Sequence, residues 1–235
     1  EMKWMMDPDL NETGVDVDAS QDLILADDFE CTAPGRILDI VVWGSWRNDY
    51  LPFETDPSAV DFILSIHADI PADESPTGYS MPGETLWWRP FARPEFEAFP
   101  IPTPMGEWWM EPPDVAFFPG DFTCWQYTFH VPVAEAFFQR GNPDFPKVYW
   151  LDVKAIPHDP MATFGWKSSI GHWNVDGVWT HGGEPYAGLW NELRYPPLHP
   201  FFGQSMDLAF AIFGWAPSTR WWSSTARGST AWSTT

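Results

Sequence analysis

Histidines and carboxylates in the last third of the chain are the residues best suited to bind a metal ion. They are His158, His172, His181 and His199, with Asp159, Asp176 and Glu184 nearby in the sequence. Three imidazoles and one carboxylate could hold zinc or copper. Their spacings are not those that a helix or a metal ribbon imposes, however, and the residues lie in turn-rich segments. The sequence therefore favours exposed or hydrogen-bonded loop histidines over a metal site.

Carboxylates among tryptophans in the same region are the residues that could cleave a sugar. The carboxylates are Asp176, Glu184 and Glu192, and the tryptophans are Trp173, Trp179 and Trp190. A glycosidase needs two carboxyl groups facing each other across the substrate, one of them with a raised pKa. The chain has no G-x-S-x-G motif, no P-loop and no G-x-G-x-x-G motif. We therefore predict that the protein is not an enzyme; catalysis would require these groups to converge in a pocket.

Two pairs of adjacent tryptophans, Trp87-Trp88 and Trp108-Trp109, are candidates for binding a glycan. Flat aromatic rings can stack on the faces of sugar rings. The pairs lie between residues 71 and 122, where eleven prolines predict short strands and ordered loops. In the alternative interpretation, which the sequence favours, the rings cover the open end of a β-sandwich.

Oxygen-bearing side chains near the N-terminus resemble the start of a calcium-binding loop. Asp7, Asp9 and Asn11 are spaced by two residues, so their oxygens could converge on one hard cation. The closing Glu and the central Gly of such a loop are not at the expected offsets. We therefore predict that no cofactor is required, with calcium as a candidate ligand. The alternative is a solvated acidic arm over residues 1–22.

The two cysteines, Cys31 and Cys124, both lie in strand-like runs. A disulfide between them would fit an oxidising compartment, whereas two buried free thiols would give the same sequence. In the run C-W-Q-Y-T-F-H-V, Cys124 shares a face with Gln126 and lies opposite Trp125. Its side chain is therefore expected to point away from the main core.

An alternating stretch from Val60 to Pro71 is the best-defined structural element in the sequence. Its apolar positions are Val60, Phe62, Leu64, Ile66, Ala68 and Ile70, and its polar positions are Asp61, Ser65, His67 and Asp69. This period of two predicts a long antiparallel strand with one buried face.

Comparable runs recur along the chain, at residues 23–31, 38–46, 124–131, 148–157 and 205–214. The only helical pattern covers residues 133–140, and Gly141 ends it. Seven or more strands with little helix predict an all-β fold over residues 23–216. The expected architecture is a two-sheet antiparallel sandwich of the jelly-roll or immunoglobulin-like type, with long loops rich in Pro and Trp.

The charge and hydropathy of the chain exclude two classes of partner. With 33 acidic and 12 basic side chains the formal net charge is -21, which repels nucleic acid and anionic lipid. No run of 18 apolar residues occurs, so we predict no membrane insertion. The printed residues contain no signal segment, so an exported protein would be in its mature form. A soluble, acid-rich surface fits an extracellular or cell-surface location.

The last segment, residues 217–235, differs in composition from everything before it. It contains Arg220 and Arg227, no acidic residue, and the tryptophans Trp221, Trp222 and Trp232. Its charge is +2, whereas the remaining 10 basic and 33 acidic residues give -23. Such a segment normally stays a flexible linker. Because the rest of the chain is anionic, we predict that this extended cationic segment adds as a β-strand to a sheet edge. These five residues are the expected assembly contacts.

Nine sequence blocks occur in the order of a family pattern. They are A-D-D-F-E-C, I-V-V-W-G-S-W, L-S-I-H-A-D-I-P, Y-S-M-P-G, C-W-Q-Y-T-F-H-V, Y-W-L-D-V, F-G-W-K-S-S, W-N-E-L-R-Y-P and S-M-D-L-A-F. In these blocks the chain resembles an uncharacterised family of domains from secreted or surface proteins of environmental bacteria. The resemblance spans Leu25 to Gly214 and implies export and a β-sandwich, but no activity. The tail does not match the sorting or anchoring segments that often follow such domains.

Two functions are compatible with these features. The first, which we favour, is a non-enzymatic structural subunit of a bacterial extracellular or surface filament or fibre, in which identical copies are joined through their terminal segments by β-strand addition. The second is a secreted carbohydrate-binding module that uses the paired tryptophans. An assembly subunit is expected to be a homo-oligomer or polymer, whereas a binding module is expected to be a monomer that responds to glycans.

Overall fold

The computed structural model describes residues 1–182 and 189–215, which contain fourteen β-strands and two short 3-10 turns, Arg47–Asp49 and Pro52–Glu54. The strands are β1 (Met2–Met6), β2 (Val15–Asp18), β3 (Leu23–Cys31), β4 (Gly35–Trp46), β5 (Val60–Ile70), β6 (Met81–Phe91), β7 (Phe96–Glu111), β8 (Val115–His130), β9 (Phe138–Gln139), β10 (Lys147–Pro157), β11 (Phe164–Lys167), β12 (Val178–His181), β13 (Asn191–Glu192) and β14 (Phe210–Trp215). The predicted all-β, two-sheet fold is confirmed. In this part of the chain, no helix is long and apolar enough to cross a membrane.

The larger sheet has the strand order β1-β14-β4-β11-β2-β7-β8, with β9 paired to β4. Strand β8 also pairs with β4, so β4, β11, β2, β7 and β8 form a closed circuit of paired strands. The β2–β7 pair is parallel. The smaller sheet has the order β13-β12-β3-β10-β5-β6. Closing part of the larger sheet on itself creates a second interior, separate from the space between the two sheets.

The main core lies between the sheets, and β5 supplies its centre as the alternation predicts. Val60, Phe62, Leu64 and Ile66 are all 0% exposed. The ring of Phe62 lies 5.1 Å from that of Phe129 across the sandwich. Offset and edge-on contacts of this kind add to the free energy gained by burying the rings.

The opposite face of β5 is also covered, which the alternation alone does not indicate. Ser65 and His67 are buried, and His67 Nε2 lies 2.7 Å from Oδ2 of Asp152 on β10. A second cluster packs on this outer face of the smaller sheet; it contains Ile24, Ala26, Met81, Trp150, Val178 and Trp190. Trp190, from the loop before β13, therefore covers part of this outer face.

The N-terminal segment is part of the larger sheet, so the expected solvated arm over residues 1–22 is corrected. Strand β1 pairs with β14, and β2 pairs with both β11 and β7. Val15 and Val17 are 0% exposed. The alternation V-D-V-D forms a short strand here because both of its faces are covered once the sheet closes around β2.

Residues 71–122 also differ from the prediction of short strands and loops, because β6, β7 and β8 are long. In β7, Pro100, Pro102 and Pro104 occupy a stretch that pairs only with β8. Prolines spaced by two place their nitrogens on one side of a strand, and an unpaired side needs no N–H donor. Edge position therefore explains how a long strand tolerates them.

The predicted helix over residues 133–140 is absent; a turn and β9 occupy this segment. Its backbone carbonyls accept hydrogen bonds from neighbouring strands instead of from N–H groups of the same segment, as they would in a helix. The carbonyl of Glu135 accepts a hydrogen bond from Trp87 Nε1 at 2.8 Å, and that of Phe137 accepts one from the N–H of Ile37 at 2.9 Å. These contacts across the fold outweigh a weak local preference for two turns of helix.

Candidate functional site

The paired tryptophans do not form two flat platforms. Neighbouring side chains on a strand point to opposite faces, and the members of each pair differ accordingly. Trp88 is 49% exposed while Trp87 packs against the core, and Trp109 is 0% exposed while Trp108 is partly exposed. The expectation that each pair acts together, whether as a sugar platform or as a cap, is corrected for this reason.

Trp108 lines a surface cavity. Trp108, Phe118 and Pro200, with Glu12 and Thr13, surround a cavity of about 190 Å³. The Trp108 and Phe118 rings are 5.4 Å apart. This combination of exposed aromatic faces and a few polar groups is suited to binding a small polar ligand.

The predicted calcium residues lie in the loop between β1 and β2, where Asp9 organises the loop itself. Its Oδ1 accepts hydrogen bonds from the Asn11 backbone N–H at 3.1 Å and from Asn11 Nδ2 at 2.8 Å. Its Oδ2 accepts one from the Thr13 hydroxyl at 2.7 Å. Asp7 is exposed, whereas Asp9 is 4% exposed. The loop contacts thus account for both Asp9 oxygens, and calcium binding stays a prediction.

The cysteines are free thiols, so the structure corrects the candidate disulfide between Cys31 and Cys124. They are 1% and 0% exposed and lie in different layers. Cys31 belongs to the main core, and its Sγ accepts a hydrogen bond from the Gly141 N–H at 3.2 Å. Cys124 packs on the other face of the larger sheet with Val41 and Trp43. Its predicted orientation away from the main core is confirmed.

The four histidines do not converge on one metal site. His158 and His181 are exposed and face Asp61 and Asp22, respectively, at 3.1 and 3.3 Å. The ring of His199 stacks on Tyr195 with centroids 4.6 Å apart. His158 and His199 lie in loops, as the sequence favoured, whereas His181 is the last residue of β12; all three have nearby partners.

The fourth histidine lies in a polar surface cavity of about 590 Å³. His172 Nδ1 is 2.8 Å from Oδ1 of Asp207, and the Trp173 N–H donates to Oδ2 of the same carboxylate at 2.6 Å. Asp176 is the third member of this group, with one ligand atom from each residue within 4.8 Å of the others. Burial raises the pKa of Asp207 to about 6, against the effect of its hydrogen bonds. The group has the donors of a metal site, but its closest contacts are already hydrogen bonds.

The carboxylates proposed for sugar cleavage are held together by an arginine. Arg194 Nη2 lies 2.6 Å from Asp176 and 3.3 Å from Glu192. Glu184, the third candidate, lies outside the described residues. Of the tryptophans around them, Trp190 is buried in the outer cluster and Trp173 packs on Trp4 at 4.8 Å. The region therefore resembles a packed ion-pair network more than an open cleft for a polysaccharide.

The most unusual group of side chains lies inside the closed circuit of strands. Lys167 of β11 is fully buried; its Nζ contacts Asp16 Oδ2 of β2 and lies 2.7 Å from Glu107 Oε2 of β7. Asp121 of β8 completes the group, which we call the lysine cluster: Asp16, Glu107, Asp121 and Lys167. One carboxylate oxygen from each acid lies within 4.8 Å of the others.

Electrostatics in the lysine cluster are dominated by burial. Burial raises the pKa of Glu107 to about 7, although Lys167 acts in the opposite direction. Burial and the nearby Asp16 charge raise the pKa of Asp121 to about 10. Asp121 is therefore a neutral carboxylic acid at neutral pH, because one lysine cannot balance three buried carboxylates.

Buried polar side chains surround the lysine cluster. Ser45 and Thr103 are 0% and 2% exposed, and their hydroxyls interact with the carboxyl groups of Asp16 and Glu107, respectively. The indole N–H of Trp109 has no hydrogen-bond partner among the described residues. Asp121 lines a small surface cavity of about 230 Å³ beside the turn at residues 48 and 49. An arrangement of this kind is rare in an interior that serves packing alone.

The lysine cluster and Asp207 were not predicted from the sequence. For Lys167 and Asp207 a signal was present, because each is a charged residue within a largely apolar run. Glu107 directly precedes a tryptophan pair. Charged residues at such positions are almost never fully buried unless they are paired, so they could have been singled out without a structure.

The predicted assembly contacts lie outside the described residues. They are Arg220, Trp221, Trp222, Arg227 and Trp232.

The fold and these clusters define an all-β sandwich domain with a buried lysine-carboxylate group. Residues 2–213 match a family model described as a domain of unknown function, DUF7901, and the chain therefore belongs to that family. No curated protein and no solved structure matches the chain.

Proposed function

We propose that the protein is a non-catalytic structural subunit of an extracellular homomeric assembly, joined by β-strand addition at the edge of the larger sheet. The observation that carries this proposal is the position of β1. Within residues 1–182 and 189–215, β1 pairs with β14 along one side and with no strand along the other. An unpaired strand edge is a template for another extended segment.

The edge at β1 differs from the other free edges of the described chain. Strand β6 carries Pro82 and Pro90 and two shifts of register, and β13 has two residues. Strand β1, M-K-W-M-M, has no proline, and its Met2 side chain is 59% exposed. Prolines, bulges, charged side chains and short length are the features that protect sheet edges; β1 is short, carries Lys3 and has one shift of register between Met2 and Trp4, but it has no proline.

The sequence of the terminal segment fits this edge. The chain continues beyond Trp215, the last residue of β14, which neighbours β1 in the sheet. The segment after it carries +2, against -23 for the rest of the chain. A cationic, Ser/Thr-rich segment of one copy that adds to β1 of the next copy would build a linear assembly of identical subunits. An acidic surface fits an extracellular environment.

Removing residues 216–235 tests the terminal segment. We expect the full chain to form oligomers whose molar mass grows with concentration, as measured by light scattering after size exclusion. The shortened chain is expected to be a monomer with an unchanged circular dichroism spectrum. A monomeric full chain, or a shortened chain that still assembles, contradicts the proposal.

Charges placed on β1 test the edge itself. The double variant Met2→Lys/Met5→Lys adds positive charge to exposed positions of β1 and is expected to prevent assembly by repelling the cationic segment. The matched control is Met105→Lys/Met161→Lys, at side chains that are 67% and 76% exposed elsewhere. The control is expected to assemble normally; equal assembly of both double variants would exclude β1 as the contact.

A second candidate function, glycan binding, rests on the cavity at Trp108. Its aromatic lining and the neighbouring Glu12 and Thr13 could hold one sugar ring. Glycans that bind there are expected to quench tryptophan fluorescence in the shortened, monomeric chain. Trp108→Ala is expected to abolish the response, whereas Trp88→Ala, at an exposed tryptophan on another strand, is expected to retain it. A panel of glycans that leaves the fluorescence unchanged would exclude this function.

A further inference from the structure

The lysine cluster places an amine in contact with a carboxyl group deep inside the domain. Lys167 and Asp16 are opposite each other on the paired strands β11 and β2, and both side chains are 0% exposed. They are separated by 151 positions in the sequence. Glu107 Oε2 lies 2.7 Å from the same Nζ atom. The three side chains therefore meet as a nucleophile, an electrophile and a base.

We propose that Lys167 and Asp16 become joined by an intramolecular amide bond, which the folded domain forms by itself with Glu107 as the catalytic residue. The bond would link Nζ of Lys167 to Cγ of Asp16. It is a modification site of this chain and does not depend on the assembly proposed above. Its chemical class is an isopeptide bond, formed without a cofactor.

The first step of the reaction removes the two charges. A proton moves from the Lys167 ammonium to the Asp16 carboxylate through their direct contact, which leaves a neutral amine and a neutral carboxylic acid. Burial favours the neutral pair, because both ions lose hydration in a site where neither side chain is exposed. Burial raises the pKa of Asp16. Burial acts to lower the pKa of Lys167, although the surrounding carboxylates shift it upward overall.

The second step forms the bond. The lone pair of Nζ attacks Cγ of Asp16, and the Glu107 carboxylate accepts the proton that Nζ loses. Glu107 then returns this proton to the Asp16 hydroxyl, which leaves as water. One N–C bond forms, one C–O bond breaks, and Glu107 ends in its starting state. Fixing both groups in contact supplies much of the rate, because the reaction is intramolecular.

Asp121 and Trp109 complete the site. Asp121 is protonated at neutral pH and lies next to Asp16, so it can donate a hydrogen bond to the oxygen that becomes negative during the attack. Trp109 is 0% exposed and pairs with Asp16 across the neighbouring strands β7 and β2, and its ring lies beside Gly165 and Asp16. Exclusion of water by the indole ring favours loss of water over hydrolysis of the new amide.

Intact-mass spectrometry of the denatured full chain tests the proposal directly. We expect a mass lower than that calculated from the sequence by one water molecule. After digestion, the peptide containing Asp16 and the peptide containing Lys167 are expected to appear as one branched species. A folded chain at its full calculated mass, with the two peptides recovered separately, overturns the proposal.

Two variants test the assigned roles. Glu107→Gln is expected to keep the full calculated mass, whereas the control Glu97→Gln, an exposed residue of the same strand, is expected to lose one water like the parent. If Glu107→Gln folds, by circular dichroism, and still loses water, the role of Glu107 is overturned. If Glu107→Gln does not fold, the mass and the branched peptide of the parent chain still decide whether the bond exists.

Discussion

The Nζ atom of Lys167 lies 2.7 Å from Oε2 of Glu107, and both side chains are 0% exposed. A buried ion pair of this kind adds little stability by itself, because desolvation offsets the attraction between the charges. A covalent link at the same place would act differently. It would lower the conformational entropy of the unfolded chain. It would also keep the two strands joined during transient local opening of the folded state.

Glu107→Gln is therefore expected to lower the free energy of unfolding more than an ordinary buried substitution. Closing a loop of 151 residues by a covalent bond is worth up to about 5 kcal/mol. The variant is also expected to have a larger denaturant slope than the parent, because an unlinked chain exposes more surface on unfolding. Guanidinium unfolding at equilibrium measures both quantities. Equal slopes for the two proteins would contradict this prediction.

Gly165→Ala is expected to destabilise the domain beside the same cluster. A Cβ atom at residue 165 would lie 2.8 Å from the Trp109 ring and 2.9 Å from Cβ of Asp16, so neighbouring side chains would have to move. We expect a loss of about 1–3 kcal/mol in urea unfolding. Gly171→Ala is the control, because its nearest atom would be 3.8 Å away. A loss of similar size in both variants would point to backbone entropy or propensity instead of crowding.

Tyr127→Phe is expected to destabilise the main core through lost hydrogen bonds. The Tyr127 hydroxyl accepts from Trp46 Nε1 and donates to the Pro57 carbonyl, both at 2.9 Å. Removing one oxygen leaves the fully buried Trp46 N–H without a partner, at a cost of about 1–3 kcal/mol. Thermal unfolding would measure the change, with Tyr50→Phe as a less buried control. No difference between Tyr127→Phe and the parent would show that water replaces the hydroxyl.

The stability of the domain is expected to fall as the pH rises, and Asp18 contributes to this dependence. Burial raises the pKa of Asp18 to about 7, against the hydrogen bond from the Ser20 N–H. The folded state then keeps a proton at pH values where the unfolded chain has lost it. The contribution of Asp18 to the free energy of unfolding therefore decreases between about pH 4 and pH 7. Above the folded pKa, Asp18 is ionised in both states, and the full cost of burying its charge lowers the stability.

Asp18→Asn is expected to remove that part of the pH dependence, because the amide oxygen can still accept from Ser20 but carries no charge. Relative to the parent, we expect a gain on the order of 2 kcal/mol at about pH 8 and a smaller one at about pH 5. Urea unfolding at both pH values gives the comparison. Asp22→Asn, at a side chain that is 75% exposed, is the control. A gain that does not depend on pH would contradict the proposed cause.

The elements of the fold could be predicted where side chains alternate. The boundaries of β3 and β5 agree closely with runs 23–31 and 60–71, because the direction of a side chain on a strand depends on its position alone. Strands β6 to β8 were less predictable. Their prolines argue against strands in general, and only the pairing of neighbouring strands shows which side of a strand needs donors.

The features of the candidate sites also divide into those that the local sequence indicates and those that depend on tertiary contacts. Composition alone indicated an acidic, aromatic-rich domain. Local alternation was enough to indicate the all-β class and to orient Cys124 away from the main core. Tertiary structure decided that Lys167 meets Asp16, Glu107 and Asp121, because these residues come from four strands that are neighbours in the larger sheet and mostly far apart in the sequence. It also separated the members of each tryptophan pair and made the N-terminal residues part of a sheet. Contacts between positions far apart in a chain leave no periodic signal, whereas the repeat of a strand is visible within a few residues.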